Sequence, residues 1–297
     1  MIIDFRVRPP LPGFEKLSIL GGVKGYQTFP FNFDENREIE SARDMSMPRF
    51  LEEMDEAGIA KGVVLPRTTP NGYGGVSNDE VADGVAKYSD RLIGFGVVDI
   101  SERQEYDPEG RPCPADSIAC AVKEVERAVR QLGLRGIVME PGCMSPALRP
   151  DAARLYPVYE RCSELGVPVV ISQSMYLGPD LSFANPECLQ HAARDFPKGK
   201  FIIAHASYPW VLAANAVACV CENVYLIPDI YCHMPDVAGG SLFAHGIRLT
   251  HGKRFLFGSA YPVRGMKQSV EDVRNFGLPE ALYRRYTCEN AAELLSL

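Results

Sequence analysis

Two arginines two residues apart, Arg6 and Arg8 in the run IIDFRVRPP, are the first residues of this chain that could do chemistry. In an extended segment side chains at that spacing point to one side, so two permanent cations would face the same space. A guanidinium has five donors and no acceptor, and it fits a carboxylate or phosphate with a two-pronged set of hydrogen bonds. The chemistry implied is anion binding, or stabilisation of negative charge that develops on an oxygen during a reaction. The competing reading is that both pair with carboxylates of the chain itself, and Glu140 in GIVMEPG, Asp229 in NVYLIPD and Asp4 are the candidates.

Histidine titrates nearest neutrality, and the chain has five. His205, closing the run KFIIAH, is the first candidate for a general acid or base, with a packed, hydrogen-bonded histidine as the alternative. His233 in PDIYCHMPD follows another apolar run and could work beside it, whereas His191, His245 and His251 fall on helices or their turns. Ser172 in PVVISQ has no G-x-S-x-G elbow around it, which argues against a serine nucleophile. Nine cysteines, scattered without a C-x-x-C pair, are expected to be reduced thiols, and Cys219 and Cys221 to behave as small hydrophobes.

The elements that must position these groups alternate along the chain. Apolar runs rich in Val and Ile predict strands at IIDFRV, KGVVLP, LIGFGVVD, RGIVME, PVVISQ, KFIIAH, NVYLIPD and RFLFGS. Between them PRFLEEMDEAG, NDEVADGVAKYSD, SIACAVKEVERAVRQLG, ARLYPVYERCSELG and PECLQHAARDF space their apolar residues by three and four, as amphipathic helices do. AANAVACVC, a glycine-weakened VAGGSLFAHGIRL and a final pair around SVEDVRNF and CENAAELLSL complete the series. Eight such units with no Gly-rich dinucleotide fingerprint after the first strand predict an α/β fold, a single (β/α)₈ TIM-barrel domain over residues 1–297.

Catalytic groups of such a barrel sit at the C-terminal strand ends. Here those ends hold Arg6, Arg8, Arg67, Asp99, Glu140, Ser172, Gln173, His205, Asp229, Tyr231 and Tyr261. The stretch 9–44 lacks periodicity and reads as a long loop on the same face, whose Phe14, Tyr26, Phe29, Phe31 and Phe33 could cover a pocket or a subunit interface.

Composition narrows the class. With 46% hydrophobic residues, 23% charged residues and a mean hydropathy of -0.09, the 297 residues read as an ordinary soluble protein. A formal net charge of -7 argues against a nucleic-acid surface. No apolar run is long enough to span a membrane, and Asp4, Arg6 and Arg8 interrupt the N-terminal stretch where a signal peptide would be apolar, so a cytoplasmic location is expected.

Three segments, IIDFRVRPP, KFIIAHASYP and RFLFGSAYPV, together with the closing ENAAELLSL, resemble the amidohydrolase superfamily, specifically its amidohydrolase-related hydrolases and decarboxylases. That group shows D-x-H-x-H on the first strand, histidines on the fifth and sixth, and R-x-L-F-G-S-D-Y-P on the eighth, which together hold a divalent metal, usually zinc, that activates water. The resemblance places those ligand positions on Arg6, Arg8, Ser172, His205 and Ala260, so only His205 keeps its type. Guanidinium offers no lone pair and repels a dication, which makes a metal at that position improbable and leaves no cofactor expected. A displaced metal on His205, His233 and Asp229 stays open.

The reading that follows is a metal-independent amidohydrolase-like hydrolase, lactonase-like or esterase-like, acting on a small carboxylated, lactone or sugar-acid-like substrate. His205, Glu140 and Asp229 are its candidate catalytic residues, and Arg6, Arg8, Arg67, Ser172, Gln173, His233 and Tyr261 its candidate substrate contacts. The alternatives are a metal-dependent decarboxylase or lyase of the same family, and a barrel that binds a small anion without turnover. A homo-oligomer is compatible with the fold; nucleic-acid and membrane partners are not expected.

Overall fold

The computed structural model describes residues 1–20, 39–70, 72–102, 104–106, 112–114, 117–234 and 237–297. Tyr26, Phe29, Phe31 and Phe33 of the long first loop lie outside them.

The first strand, β1 (Ile2–Val7), pairs in parallel with β2 (Ile59–Val64), which in turn pairs with β3 (Leu92–Gly94). At Phe95 the chain changes neighbours: its N–H still bonds Val64 O, but the Gly96 N–H bonds Gly136 O, and β4 (Gly96–Val97) belongs to the next stretch of sheet. A small antiparallel hairpin, β5 (Gln104–Tyr106) with β6 (Pro112–Pro114), stands apart from the ring. Parallel pairing continues from β4 through β7 (Ile137–Met139), β8 (Val169–Ser172) and β9 (Phe201–Ala204) to β10 (Val224–Ile227). The predicted eighth strand closes the ring without a regular ladder. Phe255 bridges Leu226, the Phe5 N–H donates to Phe257 O at 2.7 Å, and Tyr261 bridges Val7.

The result is the expected (β/α)₈ barrel. Its interior is filled from alternate positions, among them Ile3, Phe5, Val63, Phe95, Val170 and Ile202, as period-2 side chains require. Ala291, Leu294 and Leu295 of the helix Asn290–Leu295 cover the lower end of this core, and Asn290 fixes that helix by donating to Gly252 O and Phe255 O. A second core lies between the strands and the surrounding helices.

The helices form where the apolar spacing put them. Met47–Glu56 buries Met47, Phe50 and Met54 and is capped by Ser46, whose hydroxyl accepts from Arg49 N. Asn78–Ala86 starts in a reciprocal cap between Ser77 and Glu80. From VAGGSLFAHGIRL only Leu242–Leu249 is helical, because the paired glycines upstream do not support a helix. In the first loop Phe14 is fully buried in the outer core and so covers no pocket. Gly74, at φ 82°, brings the loop after β2 so close to Lys16 that a Cβ would meet the Lys16 carbonyl at 2.1 Å. The two loops thus form one wall at the barrel mouth. Among the described residues no helix is long and apolar enough to cross a membrane.

Candidate active site

Arg6 and Arg8 do leave β1 on the mouth side, where both are buried. A register shift between Asp4 and Val7 and the Asp4 carboxylate set their positions. Asp4 Oδ1 accepts from Arg6 N and from Ser259 N, each at 3.0 Å, and so ties the end of β1 to the eighth strand. Burial pushes the Asp4 carboxyl up to about 6, against the hydrogen bonds that it accepts from Arg6 and Ser259.

The Arg6 guanidinium is held at two points. Nη1 donates to Asp229 Oδ2 at 3.0 Å and Nη2 lies 3.0 Å from His205 Nε2. A guanidinium can only donate, so Nε2 is the acceptor and the ring proton sits on Nδ1. That proton faces Asp229, whose Oδ1 and Oδ2 lie 3.2 and 3.1 Å away. Burial, then the Arg6 charge, lower the His205 pKa against the pull of Asp229, so the imidazole is neutral. Burial alone would raise the Asp229 carboxyl, but His205 and Arg6 outweigh it and hold it below its usual range.

A second cluster stands across the mouth. Arg67 Nη2 donates to Glu140 Oε1 at 2.8 Å and its Nε stands 2.7 Å from Oε2. Burial opposes ionisation of Glu140, yet Arg67, Arg8 and a hydrogen bond from Ser172 lower its pKa. Arg8 is less well served. Nε donates to Leu65 O at 3.1 Å, and Nη2 is 3.8 Å from Glu140 Oε1, too long for a hydrogen bond. Burial, with Arg67 and Arg6 nearby, drives its pKa well below the ordinary value.

Backbone strain gathers at the strand ends. His205, Ala206 and Ser207 have φ of 67, 44 and 59°, Asp229 has φ 44° and Ala260 φ 62°. Such conformations cost about 1–3 kcal/mol each for residues with a Cβ and persist where the surroundings over-determine them. The strained turn after β9 leads to Tyr208, stacked on Tyr231 at 4.4 Å, and to Trp210, whose Nε1 donates to Leu181 O.

These groups line a narrow cavity at the barrel mouth that opens to solvent. Arg6, Arg8, Arg67 and His205 form its polar wall, Tyr73, Tyr176, Tyr231 and Ser174 its hydroxyl-bearing side, and Ile19, Leu177, Ile230 and Val263 the apolar remainder. Glu140 and Asp229 stand behind the arginines and do not line it. Tyr73 also lies under the Arg67 guanidinium at 4.6 Å.

Of the residues expected from the sequence, Arg6, Arg8, Arg67, His205 and Tyr231 meet at the cavity, with Glu140, Asp229 and Ser172 next to them. Four others are placed elsewhere. Gln173 Nε2 donates to Asn185 O at 2.7 Å. His233 Nε2 donates to Gly258 O at 2.9 Å, because the short helix Ile230–His233 turns Tyr231 to the cavity and His233 back toward Phe257. The Tyr261 hydroxyl is 2.6 Å from Ser41 Oγ and its ring packs edge-on against Phe50. Asp99 accepts from Ser101 N, capping its own strand end. Sequence reasoning missed Ile19, Tyr73, Ser174, Tyr176, Leu177, Ile230 and Val263. The cue available was position in the loops after β1, β2, β8, β10 and the eighth strand.

This donor set does not fit a divalent ion. The His205 Nε2 lone pair and Asp229 Oδ2 are both taken by Arg6, and Ala260 carries no donor. Among the described residues no three His, Cys, Asp or Glu side chains converge as a metal site would require.

The chain matches the amidohydrolase family profile over residues 36–297. It is similar to an uncharacterized TIM-barrel protein from Bordetella bronchiseptica, at 29% identity and a TM-score of 0.87, covering 99% of this chain and 98% of that one. At 16% identity and a TM-score of 0.65 it resembles 5-carboxyvanillate decarboxylase from Sphingomonas paucimobilis, covering 100% and 99% of the two chains. The corresponding values for a dihydroxybenzoic acid decarboxylase from a Polaromonas species, solved with manganese and 2-nitroresorcinol, are 18%, 0.69, 100% and 97%. No curated protein matches. With a family match across most of its length and a closed (β/α)₈ ring, the chain belongs to the amidohydrolase family.

Proposed function

We propose that this barrel is a metal-independent hydrolase of a small carboxylated lactone or ester, of the sugar-acid kind. One observation carries the reading: three guanidiniums face the cavity while the two carboxylates that pair with them stand behind the wall. Arg8 lines the cavity and the carboxylate it pairs with stands 3.8 Å from Nη2, so it is the natural seat for the substrate carboxylate, with Arg67 beside it.

Arg6 is then left for the reacting carbonyl. When that oxygen takes the Nη2 donor, His205 Nε2 is released to accept a proton from water as the water attacks the carbonyl carbon. Arg6 holds the resulting oxyanion, and Asp229 holds the imidazolium through Nδ1. Collapse breaks the bond to the alkoxide leaving group, which takes the proton back from His205. The products are a carboxylic acid and an alcohol, joined in one molecule if the substrate is a lactone.

The test is a panel of carboxylated lactones and esters assayed with wild type, Arg8→Met and His205→Ala. Arg8→Met is expected to raise KM for the carboxylated compounds at least tenfold and leave a neutral analogue unchanged, and His205→Ala to lower kcat by about 10²–10⁴-fold. Turnover indifferent to His205→Ala would remove that residue from the reaction. Two structural relatives are decarboxylases of aromatic acids, so the same panel includes hydroxybenzoates. Metal-dependent release of CO₂ would replace hydrolysis by that second reading, and tight binding without turnover of any compound would reduce the protein to a binder.

A further inference from the structure

We infer that Arg6 is a built-in cation, occupying with its own guanidinium the place between His205 and Asp229 that a bound metal ion would need. This deepens the metal-independent reading above and rests on it.

The geometry is that of a seated ion more than of a surface-type pair. Two acceptors from two different strand ends converge on the two terminal nitrogens of one guanidinium, each at 3.0 Å. Both acceptors are held by backbone in the left-handed region, His205 at φ 67° and Asp229 at φ 44°. Asp229 is cross-braced by the His205 main-chain N–H at 3.2 Å and by Nδ1. The cation itself is admitted by Gly258, where a Cβ would stand 3.0 Å from Arg6 Cβ and 2.7 Å from Ile227 Cγ2. Its stem is tied by the Arg6 N–H to Asp4. A charge tethered through its own side chain cannot be lost to chelation or dilution. It also supplies two directed donors where an ion would supply open coordination positions. Like an ion bound at Nε2, it fixes one tautomer of His205, since Nε2 must keep its lone pair and the ring proton stays on Nδ1.

Arg6→Ala vacates the seat without removing either acceptor. The variant should melt at lower temperature than wild type and be rescued saturably by guanidinium or methylguanidinium at millimolar concentration. The expected rise in Tm is about 2 °C at ten times the dissociation constant. Sodium chloride and tetramethylammonium at equal ionic strength should do less. In the wild type, nitrogen-detected histidine spectra should show His205 as the Nδ1–H tautomer, unmoved by zinc or by manganese. Stoichiometric retention of either metal after dialysis with His205 signals shifted or broadened, or rescue by guanidinium no better than by sodium chloride, would overturn the inference. So would a His205 protonated at Nε2, a result that stands even if Arg6→Ala does not fold. None of these readouts uses turnover, so a failed search for substrate leaves the inference standing, and a lost inference leaves the anion seat at Arg8 to be judged by the panel.

Discussion

Replacing Glu140 by Gln tests the balance of charge at the mouth most directly. The carboxylate is 1% exposed and faces two guanidiniums, Arg67 at 2.7–2.8 Å and Arg8 at 3.8 Å. At 3.8 Å and an effective dielectric near 20, a unit pair attracts by about 4 kcal/mol. The amide keeps the shape and one acceptor, but turns its NH₂ donors toward one of the arginines and leaves both cations uncompensated in a buried site. Removing one partner of a buried pair costs about 3–5 kcal/mol. With unfolding entropy of about 2.1 cal/mol/K per residue, a chain this long loses roughly 1.6 °C per kcal/mol, so Tm should fall by about 5–8 °C. Scanning calorimetry at pH 7 and low salt reads this directly. Acetate should restore more Tm to Glu140→Gln than to wild type, because the variant has two guanidiniums in want of an anion, and chloride at the same ionic strength should restore less. A variant within about 1 °C of wild type, with the same acetate response, would refute the charge argument.

Other outcomes follow from the same geometry. Asp4 has a folded-state pKa raised to about 6 from 3.8, so its contribution to stability is fully present below 3.8 and is lost as pH rises through 6. Two units correspond to about 3 kcal/mol, and urea unfolding at pH 4.5 and 7 should show Asp4→Asn with a flatter pH dependence than wild type across that window. Gly258→Ala should destabilise by about 1–3 kcal/mol and weaken binding of carboxylated ligands by displacing Arg6, read by calorimetry of the folded variant, and unchanged affinity would separate Gly258 from the seat of Arg6.

Fold legibility in the sequence followed the strength of local patterning. Runs such as PVVISQ and KFIIAH became strands where the periodicity put them, and the helices kept their apolar faces. RFLFGS failed as a regular strand for a reason no local pattern carries. The Ser259 N–H that a ladder would use is taken by the Asp4 carboxylate, from the far end of the chain. The arginine pair was legible because spacing two on a strand has only one geometric meaning. His233 misled because a single helical turn after Asp229 reverses which residue faces the cavity. Tyr73 and Tyr176 were invisible, since loops without periodicity do not announce their direction. Arg6 and Arg8 each have a carboxylate of the chain nearby, as the ion-pair reading expected, and both line the cavity.

The chain contains one tryptophan, and it ends the strained turn that begins at His205. Trp210 is 42% exposed and anchored by its indole N–H to the loop that carries Leu181. Light absorbed at the red edge of the protein spectrum is therefore emitted from a single point near the rim of the mouth. Quenching by iodide or a shift in emission would register events in that turn without any added dye.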